Sequence, residues 1–110
     1  MGIDLEGWKA RIRAAVGELR EPLLATSHDI HDHPELAFKE HHASGRLSDE
    51  LERGGLRVKR GIGGLATAFQ AVLDGGEAGP TVAILAEYDA LPGIGHACGH
   101  NIIATSALGA

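Results

Sequence analysis

Thr81-Val82-Ala83-Ile84-Leu85-Ala86 runs without a charge into Glu87-Tyr88-Asp89-Ala90-Leu91-Pro92-Gly93-Ile94-Gly95-His96-Ala97-Cys98-Gly99-His100-Asn101. The first six residues are almost wholly apolar, the pattern of a central strand covered on both faces. Glu87 and Asp89 close that run, two positions apart and so on one side of an extended chain. A glycine-rich loop follows, and Ile102 to Ala110 has the composition of a helix start, with Asn101 placed to cap it.

Upstream, the apolar period is helical. Trp8, Ile12, Ala15, Leu19 and Leu23 recur every three or four residues, one face of a helix. Pro22 suits the first turn of a second helix, which carries Leu23, Leu24 and Ile30 and stops before Pro34. A third helix, from about Glu35 or Lys39, has Ala43, Leu47 and Leu51 on one side and ends at Gly54-Gly55. Leu56 to Arg60 and Ala66 to Leu73 alternate as half-buried strands. The order is helices, strands, a loop at a strand's carboxyl end, then a helix. The fold class expected is α/β, with the loop where ligands bind in such sheets. A fully apolar strand needs more cover than these elements supply, so the chain reads as part of a larger domain.

Composition narrows the function classes. Of 110 residues 44% are hydrophobic and 23% charged, ordinary for a globular protein. The net charge of -5 and the lack of a basic cluster beyond Arg57, Lys59 and Arg60 argue against a nucleic-acid partner. No apolar run approaches the roughly 18 residues of a membrane span, and Met1 to Arg13 is unlike a signal peptide. The expectation is a cytoplasmic protein with neither a nucleic-acid nor a membrane partner.

The lone cysteine, Cys98, has no disulfide partner within the chain. Cys98 and His100 stand two apart with Gly99 between them, so thiolate and imidazole converge on one side, a donor pair suited to a borderline-soft divalent metal. Glu87 and Asp89 are carboxylates able to bind a second ion or to hold a ligand imidazole in place. Other readings use the same residues. A C-x-H pair by itself is more often a packed thiol beside a hydrogen-bonded histidine, in a non-catalytic module. Cys98 with His96 or His100 could also be a metal-free nucleophile and base. A phosphate cradle at Gly93, Gly95 and Gly99 lacks the G-x-G-x-x-G spacing and a P-loop lysine.

Glu87 to Pro92 followed by His96 to Asn101 resembles the paired signature of the M20 amidohydrolases, close to the branch of aminobenzoyl-glutamate hydrolase-like and aminoacylase-1-like proteins. His31-Asp32-His33-Pro34-Glu35-Leu36, with Glu40 after it, is similar to the family's H-x-H-P-E-L segment. The resemblance implies the amino-terminal portion, residues 1–110, of a three-layer αβα catalytic domain, with the dimerisation domain and the rest of the catalytic domain outside it. It implies Cys98 and His100 as metal ligands, Glu87 as a further candidate ligand, and Asp89 in the catalytic, metal-proximal role. It implies two divalent ions, zinc or manganese, a small amide or dipeptide substrate, and a homodimeric parent enzyme. Asn101 departs from the aspartate of the hippurate and auxin-conjugate hydrolases. His31, His33 and Glu35 read as scaffold, Glu35 in the first turn of a helix, and His41 and His42 as solvent-facing. The 110-residue chain alone is expected to bind metal weakly and not to turn over.

Overall fold

The computed structural model describes residues 2–110. Helix α1 spans Leu5–Glu18, α2 Arg20–Asp32 and α3 His41–Arg53. Strands β1 (Arg57–Arg60) and β2 (Phe69–Val72) form an antiparallel pair, and α4 runs His100–Gly109. The protein is thus a mixture of helices with one small sheet, as an α/β composition requires.

The helix ends follow local stereochemistry. The Asp4 carboxylate starts α1 by accepting the Gly7 amide at 2.9 Å. Pro22 lies in the first turn of α2, where its missing N–H costs nothing. That helix stops at Asp32, and His33 before Pro34 takes an extended φ of -122°. At the end of α3, Gly55 is left-handed at φ 88°; its amide reaches the Glu52 carbonyl and the Leu56 amide the Leu51 carbonyl, each at 3.0 Å. This double closure satisfies the last carbonyls of the helix, and glycine adopts the conformation without a Cβ penalty.

The core lies where α2, α3 and α4 meet: Ile30, Ala43, Leu47 and Ala104 are buried together, with Phe69, Tyr88 and Leu108 packed against them. Burial of Ile30 and Leu47 contributes about 2 kcal/mol each. Ala43 and Leu47 sit on the α3 face expected from spacing. The α1 stripe does not pack in this way: Trp8 and Ile12 are 51% and 58% exposed, and no residue of α1 is buried. Helix α3 begins at His41, later than Glu35 or Lys39. Glu35 therefore lies outside any helix, yet its carboxylate accepts the amides of His42 and Ala43, each at 2.9 Å. The charge does act on a helix amino terminus, from a residue that precedes the helix.

The expected third strand does not form. Among the described residues, the segment 81–86 pairs with no strand, and Val82 and Leu85 are 82% and 85% exposed. A central strand requires a neighbour on each edge. Here β1 and β2 pair only with each other, so the apolar run has no ladder to join.

Candidate metal centre

Two anchors place the glycine-rich loop beside the helices. The Ala90 amide donates to the Glu35 carbonyl at 2.7 Å, a parallel bridge that ties the loop to the His31–Leu36 segment. The Leu91 amide donates to the Gly95 carbonyl at 2.9 Å and closes the turn between them. Gly99, left-handed at φ 81°, then turns the chain into α4, so that His100 is its first residue.

Beneath the loop a polar chain fixes Tyr88. Its hydroxyl donates to the Thr67 carbonyl, and the Thr67 hydroxyl donates to the buried Glu40 carboxylate at 2.7 Å. The other Glu40 oxygen accepts the Phe38 amide at 2.9 Å, which holds Phe38 in a left-handed turn at φ 66°. Burial pushes the Tyr88 phenol above its ordinary pKa, against a lowering by Ser44 and with a smaller rise from Glu40. A shallow cavity of about 170 Å³ opens here, lined by Glu40, Thr67 and the chain from Ala86 to Asp89.

His100 is the centre of the site. Its Nδ1 lies 2.7 Å from the Asp89 carboxylate and 3.0 Å from the Asp89 carbonyl. Its Nε2 lies 3.1 Å from the Glu87 carboxylate. The Cys98 thiol reaches the same Asp89 carbonyl, with the sulfur 4.0 Å away, and is exposed. The structure therefore brings Glu87, Asp89 and His100 into contact and puts the thiol on the side where His100 Nδ1 points. Cys98 is not packed among apolar side chains.

Only the Glu87 carboxylate and His100 Nε2 are spaced as ligands of one cation; among the described residues Glu87, Cys98 and His100 do not bring their donor atoms within 4.8 Å of one another, because the thiol lies on the Nδ1 side of the ring. Both Nδ1 contacts are to acceptors, so Nδ1 carries the proton, and in the neutral ring Nε2 is a lone pair facing a carboxylate oxygen. Two acceptors 3.1 Å apart are reconciled by a proton or a positive ion between them. Two ligands about 2.0 Å from zinc at a tetrahedral angle stand about 3.3 Å apart, close to this separation. The imidazole–carboxylate pair at Nδ1 is the arrangement that orients histidine ligands in metalloproteins.

His96 contributes differently. Its ring is buried, neither nitrogen has a hydrogen-bond partner among the described residues, and it lies 6.5 Å from the His31 ring. Burial pushes its pKa down, and the neighbouring His31 and His100 push it further. With no contact from His96 to sulfur, and His100 Nδ1 held by Asp89, no imidazole among the described residues hydrogen-bonds to the thiol. Asn101 does not cap α4, which starts one residue earlier; its amide donates to the Ser27 hydroxyl at 3.1 Å, tying α4 to α2.

A second cluster escapes the sequence reading. Among the described residues, Asp29, His33 and His42 are three donors whose ligand atoms all lie within 4.8 Å of one another. Asp29 and His33 stand four apart along the chain, a spacing open to inspection; His42 joins them only through the packing of α3.

No family model matches the chain. Among known proteins it is 44% identical over 109 residues to the Xaa-Arg dipeptidase of Mus musculus, covering 92% of this chain and 25% of that protein. It is 37% identical to one component of the p-aminobenzoyl-glutamate hydrolase of Escherichia coli, over 74% of this chain and 20% of the relative. It is 32% identical to thermostable carboxypeptidase 1 of Saccharolobus solfataricus, over 90% of this chain and 28% of the relative. The chain thus spans about a quarter of the length of these relatives, 25% in the first case. With such identity over most of its length, and with the paired loop signature in order, the chain belongs to the M20 family of peptidases and amidohydrolases.

Proposed function

We propose that this chain is the amino-terminal portion of the catalytic domain of a metal-dependent amidohydrolase, and that Cys98, His100 and Glu87 are metal ligands. The observation that carries the reading is the His100 imidazole, held at Nδ1 by Asp89 at 2.7 Å with Nε2 toward Glu87 at 3.1 Å. A bound divalent ion, zinc or manganese, would supply a water of lowered pKa and polarise the amide carbonyl.

The chain's own residues have defined tasks. Asp89 keeps the Nδ1 proton, so that Nε2 is the coordinating atom. Glu87 supplies an exposed carboxylate beside it. Gly99, left-handed at φ 81°, separates the two donors; the thiol lies on the Nδ1 side, and sharing an ion with Nε2 requires the Cys98 side chain to swing around the His100 ring. The buried Glu40–Thr67–Tyr88 chain holds the backbone from which both Glu87 and Asp89 project. Further ligands, a general base and a dimerisation domain belong, in this reading, to parts of the parent protein beyond these 110 residues.

The substrates proposed are N-acyl amino acids, dipeptides and aminobenzoyl-glutamate-like amides; the second and third are in keeping with the names of two relatives. The reading includes a cytoplasmic, homodimeric parent; no helix of the described residues is long and apolar enough to cross a membrane. The test is amide hydrolysis by the parent protein on these three substrate classes, before and after chelation. Activity lost on chelation, restored by zinc or manganese and abolished in Cys98→Ala and His100→Ala supports the reading. Activity indifferent to chelation and destroyed by thiol alkylation contradicts it. The 110-residue chain alone is expected to bind metal weakly and to show no turnover.

A further inference from the structure

Outside the Glu87–His100 site, one group of side chains combines three donors of the right chemistry. His33 caps the end of α2 and His42 lies in the first turn of α3, and their rings are tilted by 30° with centroids 4.3 Å apart. Both address one carboxylate: His33 Nδ1 is 3.2 Å from Asp29 Oδ1, and His42 Nε2 is 2.9 Å from Asp29 Oδ2. Asp29 is partly exposed, at 28%, and both rings are about half exposed, so the carboxylate lies deeper than the imidazoles and the group opens to solvent.

The backbone fixes this geometry on both sides. Asp29 and His33 are one helical turn apart at the end of α2. The His42 amide is held by Glu35 at 2.9 Å, which sets the start of α3 against the end of α2. The competing cation is Arg46, whose Nε lies 3.8 Å from Asp29 Oδ2. Arg46 has other partners, Glu50 at 3.4 Å and the Thr26 hydroxyl at 3.4 Å, so it can yield the carboxylate.

We propose that Asp29, His33 and His42 form a second metal site, for a divalent transition ion of the zinc or nickel class. Two neutral imidazoles and one carboxylate are a donor set these ions accept, with water completing the sphere from the exposed side. Binding requires the His33 ring to exchange its 2.8 Å contact with the Asp29 carbonyl for the ion. The site uses none of the residues of the Glu87–His100 centre and stands or falls separately. An ion there would clamp the carboxyl end of α2 to the amino end of α3.

The experiment is zinc titration by calorimetry of the 110-residue chain carrying Cys98→Ala and His100→Ala, which removes the other candidate ligands. The expected result is one equivalent of zinc bound, weakened at least tenfold by His42→Gln and again by His33→Gln, with far-ultraviolet circular dichroism unchanged. Should the double variant not fold, nickel is added to the unsubstituted chain and the imidazole resonances are followed by NMR. Paramagnetic broadening centred on His33 and His42 supports the site. Absence of zinc binding in the folded variant, binding indifferent to both glutamine substitutions, or broadening that leaves those two rings untouched overturns it.

Discussion

Asp89 grips His100 twice, through its carboxylate at 2.7 Å and through its own backbone carbonyl at 3.0 Å, both on Nδ1. One residue thus decides which ring nitrogen carries the proton and which faces outward. Asp89→Asn can present an amide N–H to the ring and disturb that choice. Partners of this kind are worth about 10- to 100-fold in metal affinity. In the chain also carrying His33→Gln and His42→Gln, zinc affinity measured by competition with a chromophoric chelator is expected to fall by a factor in that range on Asp89→Asn while the fold persists.

The Glu40 carboxylate is buried and accepts from Phe38 and Thr67, while the Thr67 carbonyl also receives the Tyr88 hydroxyl. Glu40→Ala leaves the Phe38 amide and the Thr67 hydroxyl without their acceptor. The expected destabilisation is about 3 kcal/mol, seen as a lower midpoint in urea unfolding. Glu40→Gln, which keeps an acceptor oxygen, should lose less.

The Glu35 carboxylate caps α3 from outside the helix. Glu35→Ala should cost about 1 kcal/mol, and amide exchange at His42 and Ala43 should accelerate ahead of exchange at Leu47. Equal protection at all three in the variant would mean that the cap contributes nothing.

Arg60 bonds Glu52 at 2.6 Å and Asp49 at 2.9 Å, joining β1 to α3. The Arg60 hydrogen bond lowers the Glu52 pKa below its ordinary value, against an opposing desolvation and aided by charge attraction. The folded state therefore holds its proton less tightly than the unfolded chain. The contribution is fully present above the unfolded pKa and is lost as pH falls through the folded one. The pair is exposed, so the effect is small and screened by salt. Carboxyl titration by NMR should show the Glu52 midpoint rising toward normal in Arg60→Gln.

What is legible in the sequence is set by short-range stereochemistry. Pro22, Pro34 and Gly54-Gly55 mark helix ends because proline and glycine restrict or free the backbone wherever they stand. The spacing of two around a glycine puts Cys98 and His100 near the same Asp89 carbonyl, but which ring nitrogen the thiol faces is set by the turn at Gly99 and is not legible in the spacing. Residues 81–86 are not, because a strand exists only when its edges find partners, and nothing in an apolar run says which partners are at hand. The α1 stripe from Trp8 to Leu19 has the period of a buried face but meets no surface among the described residues that covers it. His42 is exposed, as its place in the sequence suggests, but its contact with Asp29 is supplied by another helix, through packing that no local pattern encodes. Asn101 likewise has a local use as a cap and takes a tertiary one on Ser27.

The central claim is that sulfur from Cys98 and nitrogen from His100 share one ion. X-ray absorption at the zinc edge tests it on the zinc-loaded chain carrying His33→Gln and His42→Gln, so that the second cluster cannot contribute. One sulfur scatterer at about 2.3 Å with imidazole nitrogen at about 2.0 Å is expected, the sulfur vanishing in Cys98→Ala. A shell of nitrogen and oxygen alone, identical with and without the thiol, would contradict it.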